Sequence, residues 1–150
     1  MKRHKQLFKH DPANGTYGDC QRTAIACLLD KDDPSEVPNF AENHWEDGDA
    51  FDNAVRDYLR SQGFDWFVMA FNWSDASPQE VIAYIGHHNP SYYMICGMGA
   101  RGVNHIVICK GNEFFHDPHP SDDFLCGPCN DGFYWAYVLI PASMSGGSGA

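Results

Sequence analysis

The chain has 150 residues and a formal net charge of −10, from 20 Asp and Glu against 10 Lys and Arg; that is the size of one domain with one sizeable core, and the charge argues against a phosphate-binding surface. No apolar run approaches the ~20 residues of a membrane span and no charged, then apolar, then small-residue signal opens the chain, so a soluble, cytoplasmic protein without nucleic-acid or membrane partners is expected. Six cysteines, at positions 20, 27, 96, 109, 126 and 129, show no disulfide-framework spacing and fit a reduced interior.

Residues 1–17 are polar and turn-rich. The basic run Met1-Lys2-Arg3-His4-Lys5 reads as solvated, and Asp11-Pro12-Ala13-Asn14-Gly15 as a loop. A helix is expected from Cys20 to about Asp30, with Asp19 as N-cap, Gly18 giving the chain room to turn, and the approach to Pro34 ending it. Phe51, Val55, Tyr58, Leu59 and Gln62 recur at helical spacing before Gly63, which predicts an amphipathic helix over 49–62. Phe64–Phe71 reads as a strand. Ser77-Pro78-Gln79-Glu80 has the signature of a helix start, with Ser77 as N-cap, Pro78 at the first position and Glu80 closing a capping box. Tyr92-Tyr93-Met94-Ile95-Cys96 reads as a buried strand, followed by a flexible loop over 97–102 without the context of a nucleotide site. Strands over 103–110 and 113–116 are joined by Gly111-Asn112, a strong hairpin signal, and 133–140 supplies the last strand. Helices first and mostly antiparallel strands after is an α+β layout. The fold is assigned to a single domain, 1–141, with 142–150 a flexible tail or an expression scar.

Cys20 is the first candidate for chemistry. On the first turn of an apolar helix, unpaired backbone N–H groups and the helix dipole favour thiolate over thiol. Asp19 works against this unless its carboxylate is occupied by capping bonds. The alternative is that Cys20 is a small apolar residue sharing a face with Ala24, Cys27 and Leu28. A thiol nucleophile needs a base and an orienter for that base. The hairpin offers both: pairing 110 with 113 sets His105 opposite about position 118, one residue from Asp117, whose carboxylate could hold the imidazole in one tautomer. His105 could equally be a satisfied core histidine.

These residues together resemble the papain-like cysteine peptidases, and most closely the bacterial double-glycine leader peptidases with the small bacterial and phage proteins grouped with them. The resemblance is carried by Gly18-Asp19-Cys20-Gln21-Arg22-Thr23-Ala24, by Val37-Pro38-Asn39-Phe40, and by Asn104-His105-Ile106-Val107-Ile108 with His116-Asp117-Pro118. It implies a papain-like fold, with Cys20 as nucleophile, His105 as general base, Asp117 as orienter and Asn14, six residues before the cysteine, as oxyanion-hole donor. The family usually has glutamine at that place, and Asp-Cys-Gln here replaces the Asp-Cys-Gly of the leader peptidases, so their peptide specificity is not carried over. The implied activity is acyl transfer from an amide or isopeptide bond of a peptide, a protein or a small amide, without cofactor or metal.

Two other readings stay open. One is a papain-like binding module without turnover. The other uses residues 116–129: Cys126-Gly127-Pro128-Cys129 spells a dithiol redox motif but runs into a strand rather than a helix, and His116, His119, Cys126 and Cys129 have the spacing of a closed zinc site, with a plain proline turn as the third possibility.

Overall fold

The computed structural model describes residues 1–16, 18–44 and 46–142. Four α-helices and five strands are described: α1 (Cys20–Leu28), α2 (Phe40–His44), α3 (Gly48–Ser61), β1 (Phe64–Phe71), α4 (Pro78–His88), β2 (Tyr92–Met98), β3 (Asn104–Lys110), β4 (Glu113–His116) and β5 (Tyr134–Pro141). The strands form one sheet in the order β1-β5-β2-β3-β4, and every pairing is antiparallel. The architecture is α+β. The tail expected from 142 onward lies, apart from Ala142, outside the described residues.

The sheet is covered on both faces. Ile106 and Ile108 of β3 point with Met94 and Trp66 into a core shared with Ile25 of α1 and Val55 and Leu59 of α3. Val107 and Cys109 point the other way, with Tyr93, Ile95 and Tyr134, against Val81, Ile82 and Ile85 of α4. Successive strand residues face opposite sides, so a strand buried on both faces reads as an unbroken apolar run. That is why 106–109 shows no alternation.

Local signals explain most boundaries. Ser77 Oγ accepts from the Glu80 N–H (3.2 Å) and the Glu80 carboxylate returns the bond to the Ser77 N–H (3.2 Å), the reciprocal cap expected at α4. Asp47 caps α3 by accepting from the Ala50 N–H. α1 ends differently from expectation. It stops at Leu28, well before Pro34, because Asp30 turns into the left-handed region (φ 59°) and the Lys31 N–H closes onto the Ala26 carbonyl. Aspartate tolerates that conformation better than most side chains.

β2 runs on through Gly97 and Met98, which the sequence suggested as loop. The extension exists because 126–129 lies alongside it: the Met98 N–H donates to the Gly127 carbonyl (2.8 Å) and the Cys126 N–H to the Met98 carbonyl (2.8 Å). A Cβ on Gly97 would stand 2.6 Å from the Gly127 oxygen, so only glycine permits this approach. The Cys-Gly-Pro-Cys motif is therefore a short strand-like segment, not the start of a helix.

Candidate active site

α1 packs across β3, which sets its first residue over the beginning of that strand. There Cys20 and His105 line one cavity of about 870 Å³, together with Gln6, Asn39, Arg101 and His119. The volume is in the usual range for a ligand site. Cys20 is half-buried, whereas His105 is 3% exposed and Asp117 fully buried.

The hairpin brings Asp117 to His105, though not by the register that simple counting gives. Lys110 pairs with Glu113 and Cys109 with Phe114, but Ile108 pairs with His116, so Phe115 is the extra residue of a bulge. β4 then ends, and Asp117 begins a loop instead of a further pair. Its Oδ1 accepts from His105 Nε2 (2.6 Å) and from the His119 N–H (2.9 Å), and its Oδ2 from the Phe124 N–H (2.8 Å). Three donors fix the carboxylate. Burial alone would raise its pKa, but the His105 bond and charge and the two amides hold it below the ordinary value.

Because Asp117 occupies Nε2, Nδ1 is the ring nitrogen left to meet a thiol. Burial works to lower the His105 pKa; the Asp117 hydrogen bond, and after it the Cys20 side chain, outweigh burial and raise it to about 9. An imidazole so placed is charged at neutral pH. His119 stands nearby with ring centroids 6.1 Å apart, edge to face. Burial, Arg101 and the His105 charge lower the His119 pKa, so it adds little positive charge to the wall. Its Nδ1 accepts from the Ser121 N–H (3.0 Å).

Asp19 does not cap α1. Its carboxylate makes no capping bond and instead accepts from the Leu7 and Phe8 N–H groups (3.1 and 2.9 Å) and from Arg22 Nε (3.0 Å). Arg22 also donates to the Val37 carbonyl (3.1 Å), and both charges are buried. The carboxylate beside Cys20 is thus neutralised by a guanidinium and makes no capping bond to the N–H groups that open α1.

Asn14 is not brought to the site. It closes a short 3-10 turn, Pro12–Asn14, is exposed, and gives its Nδ2 to Asp11 Oδ2 (2.7 Å); Asp11, not Asn14, lines the cavity. The 11–16 loop is tied across its base by the Asp11–Thr16 bridge and forms its own small unit. The side-chain amide that does line the cavity is Gln6. One Nε2 hydrogen goes to the Phe8 carbonyl (2.7 Å), and Oε1 is buried with no partner among the described residues. Fourteen residues separate Gln6 from Cys20, so no spacing rule pointed to it.

Gln6 is held by an N-terminal strap. The Gln6 N–H donates to the Pro118 carbonyl (2.7 Å), Lys5 Nζ to the Asp117 and His119 carbonyls (2.9 and 3.0 Å), and Lys5 also pairs with Asp122. His116 Nε2 donates to the His4 carbonyl (2.6 Å), and His4 in turn meets Cys27 and the Lys31 carbonyl. The basic start of the chain is accordingly docked by these bonds while Lys2, Arg3 and Lys5 stay exposed, as the sequence suggests.

The four residues of the zinc alternative are dispersed: His116 is used by His4, His119 lines the cavity, Cys126 lies against the Met98 and Gly99 carbonyls, and Cys129 is against Cys96. Among the described residues no group of three or more His, Cys, Asp or Glu could hold a metal ion. Nor is any described helix long and apolar enough to cross a membrane. Comparison with family models, curated proteins and solved structures gives no match.

Proposed function

We propose that the protein is a papain-like cysteine hydrolase, acting by acyl transfer on an amide or isopeptide bond of a peptide, protein or small amide in the cytoplasm. The observation that carries this reading is the imidazole of His105, hydrogen-bonded through Nε2 to a buried, three-fold anchored carboxylate and sharing a cavity with a half-buried cysteine on the first turn of a helix. In the mechanism, the proton of Cys20 is held on His105 Nδ1 and the resulting thiolate attacks the carbonyl carbon. The intermediate's oxyanion is met by N–H groups opening α1 and by the second Nε2 hydrogen of Gln6, in the role that the resemblance gives to Asn14. Collapse expels the amine, which receives the proton from the imidazolium, and water then releases the acyl group from the thioester with His105 again as base.

The experiment is turnover on a panel of peptide and small-amide substrates, beside site-resolved alkylation. Iodoacetamide should label Cys20 ahead of the other five cysteines at pH 7, and His105→Ala should slow that labelling about tenfold, since the thiolate is the reacting form. Turnover that Cys20→Ser abolishes separates a hydrolase from a binding module on the same scaffold. Labelling of Cys20 that is indifferent to His105→Ala would remove the pair from the mechanism.

A further inference from the structure

A second pair of thiols lies beneath the cavity. Cys96 of β2 lines it, and Cys129 Sγ is 3.4 Å from Cys96 Sγ. The placement follows from the backbone: Met98 bridges Gly127 while Cys96 pairs with Trp135 of β5, so the turn over 129–133 that leads into β5 sets Cys129 beside Cys96. Cys129 is fixed from its other side, its N–H donating to the Phe133 carbonyl (2.9 Å). Two sulfurs held this close need only a small side-chain rotation to reach the ~2.05 Å of a disulfide. Nothing in the proposed hydrolysis uses either sulfur.

We infer that Cys96 and Cys129 are a reversible disulfide-forming pair, a redox-modification site at the floor of the cavity whose oxidant is a small hydroperoxide. The cavity exposes Cys96, whereas Cys129 is 5% exposed and does not line it, so oxidation begins at Cys96. The Cys96 thiolate, a minor form because the Cys129 hydrogen bond and burial raise the thiol's pKa, attacks one peroxide oxygen, becoming a sulfenic acid while the other oxygen leaves as water or alcohol. Cys129 sulfur then attacks the Cys96 sulfur and expels the sulfenic oxygen as water. The two thiols lose two hydrogens and two electrons in all, and the peroxide takes them up. The bond would tie 126–130 to β2, and that segment carries Asn130, whose Oδ1 accepts from the Asn104 side chain (3.1 Å) beside His105. This gives the Cys-Gly-Pro-Cys motif a role in which its second cysteine pairs across to β2 rather than within the motif.

The inference does not depend on Cys20 being a nucleophile, so it is tested in the Cys20→Ser protein. The folded variant is treated with hydrogen peroxide, its free thiols are alkylated, and a non-reducing peptide map is read by mass spectrometry. Cross-linked peptides joining 96 to 129, lost on treatment with dithiothreitol and retained in a Cys20→Ser, Cys126→Ser protein, are expected. A cross-link from 126 to 129, or Cys96 and Cys129 recovered as alkylated thiols or as sulfinic acids, would overturn it.

Discussion

At the level of single residues, two side chains separate readings that spacing alone could not. Asn14 has the right distance along the chain from Cys20 but is bonded to Asp11, while Gln6, far along the chain, reaches the cavity. Gln6→Ala should therefore lower kcat by about 10²–10³, the usual loss when one oxyanion donor goes, and Asn14→Ala should leave it nearly unchanged. Equal effects from both would show that the amide at 6 is not the donor. His105 makes a prediction about stability. Its folded pKa, about 9, lies above the ~6.5 of an unfolded histidine, so the folded state favours the proton. The stabilisation is complete below about pH 6.5 and is lost as pH rises towards 9, on the order of 3 kcal/mol across the window. Urea midpoints measured from pH 6 to 9 should fall in the parent protein and fall less in Asp117→Asn. A flat profile in the parent would contradict the assigned pair.

Among the elements, what could be read from sequence was what has a local cause. Ser77 and Glu80 announce α4 because the cap is made by residues three apart, and Phe64–Phe71 matches β1 residue for residue because its apolar content has a strand's length. The bulge at Phe115 was not legible: nothing in Glu113-Phe114-Phe115-His116 marks an extra residue, and it ends the ladder so that Asp117 becomes a loop anchor. The strap was hidden for another reason. Its bonds run over sequence separations of 112 and 114, from Lys5 to the Asp117 and His119 carbonyls, and basic residues near a terminus look solvated until their distant partners are known. Asp19 illustrates the same limit, since its partners lie eleven and twelve residues back on that strap as well as at Arg22. Arg22→Ala would leave a buried carboxylate without its cation and should cost about 3–5 kcal/mol, read as a drop in the urea midpoint. A loss under 1 kcal/mol would mean that the Leu7 and Phe8 amides suffice.

For the molecule as a whole, the sheet order explains the site. β5 inserts between β1 and β2, and the β3–β4 hairpin is left at one edge, where the loop that follows β4 brings Asp117 to His105. The α+β class followed from the order of elements and the packed face of α3 from periodicity, with Val55 and Leu59 of that stripe buried and Phe51 and Tyr58 half-buried. Truncating Leu59 to alanine should cost about 2–5 kcal/mol. The dispersal of His116, His119, Cys126 and Cys129 could not be read from their spacing, which fits a zinc site, because β-bridge formation at Met98 and the docking of His4 decide where each points.

Whether Cys20, His105 and Asp117 act as one unit is decided by the titration of the His105 ring, followed by nitrogen NMR in the parent, Cys20→Ser and Asp117→Asn proteins. A midpoint of about 9 is expected in the parent, falling in both variants because each removes a group that holds the proton on the ring. A midpoint near the ordinary ~6.5, or one that Cys20→Ser leaves in place, would contradict it.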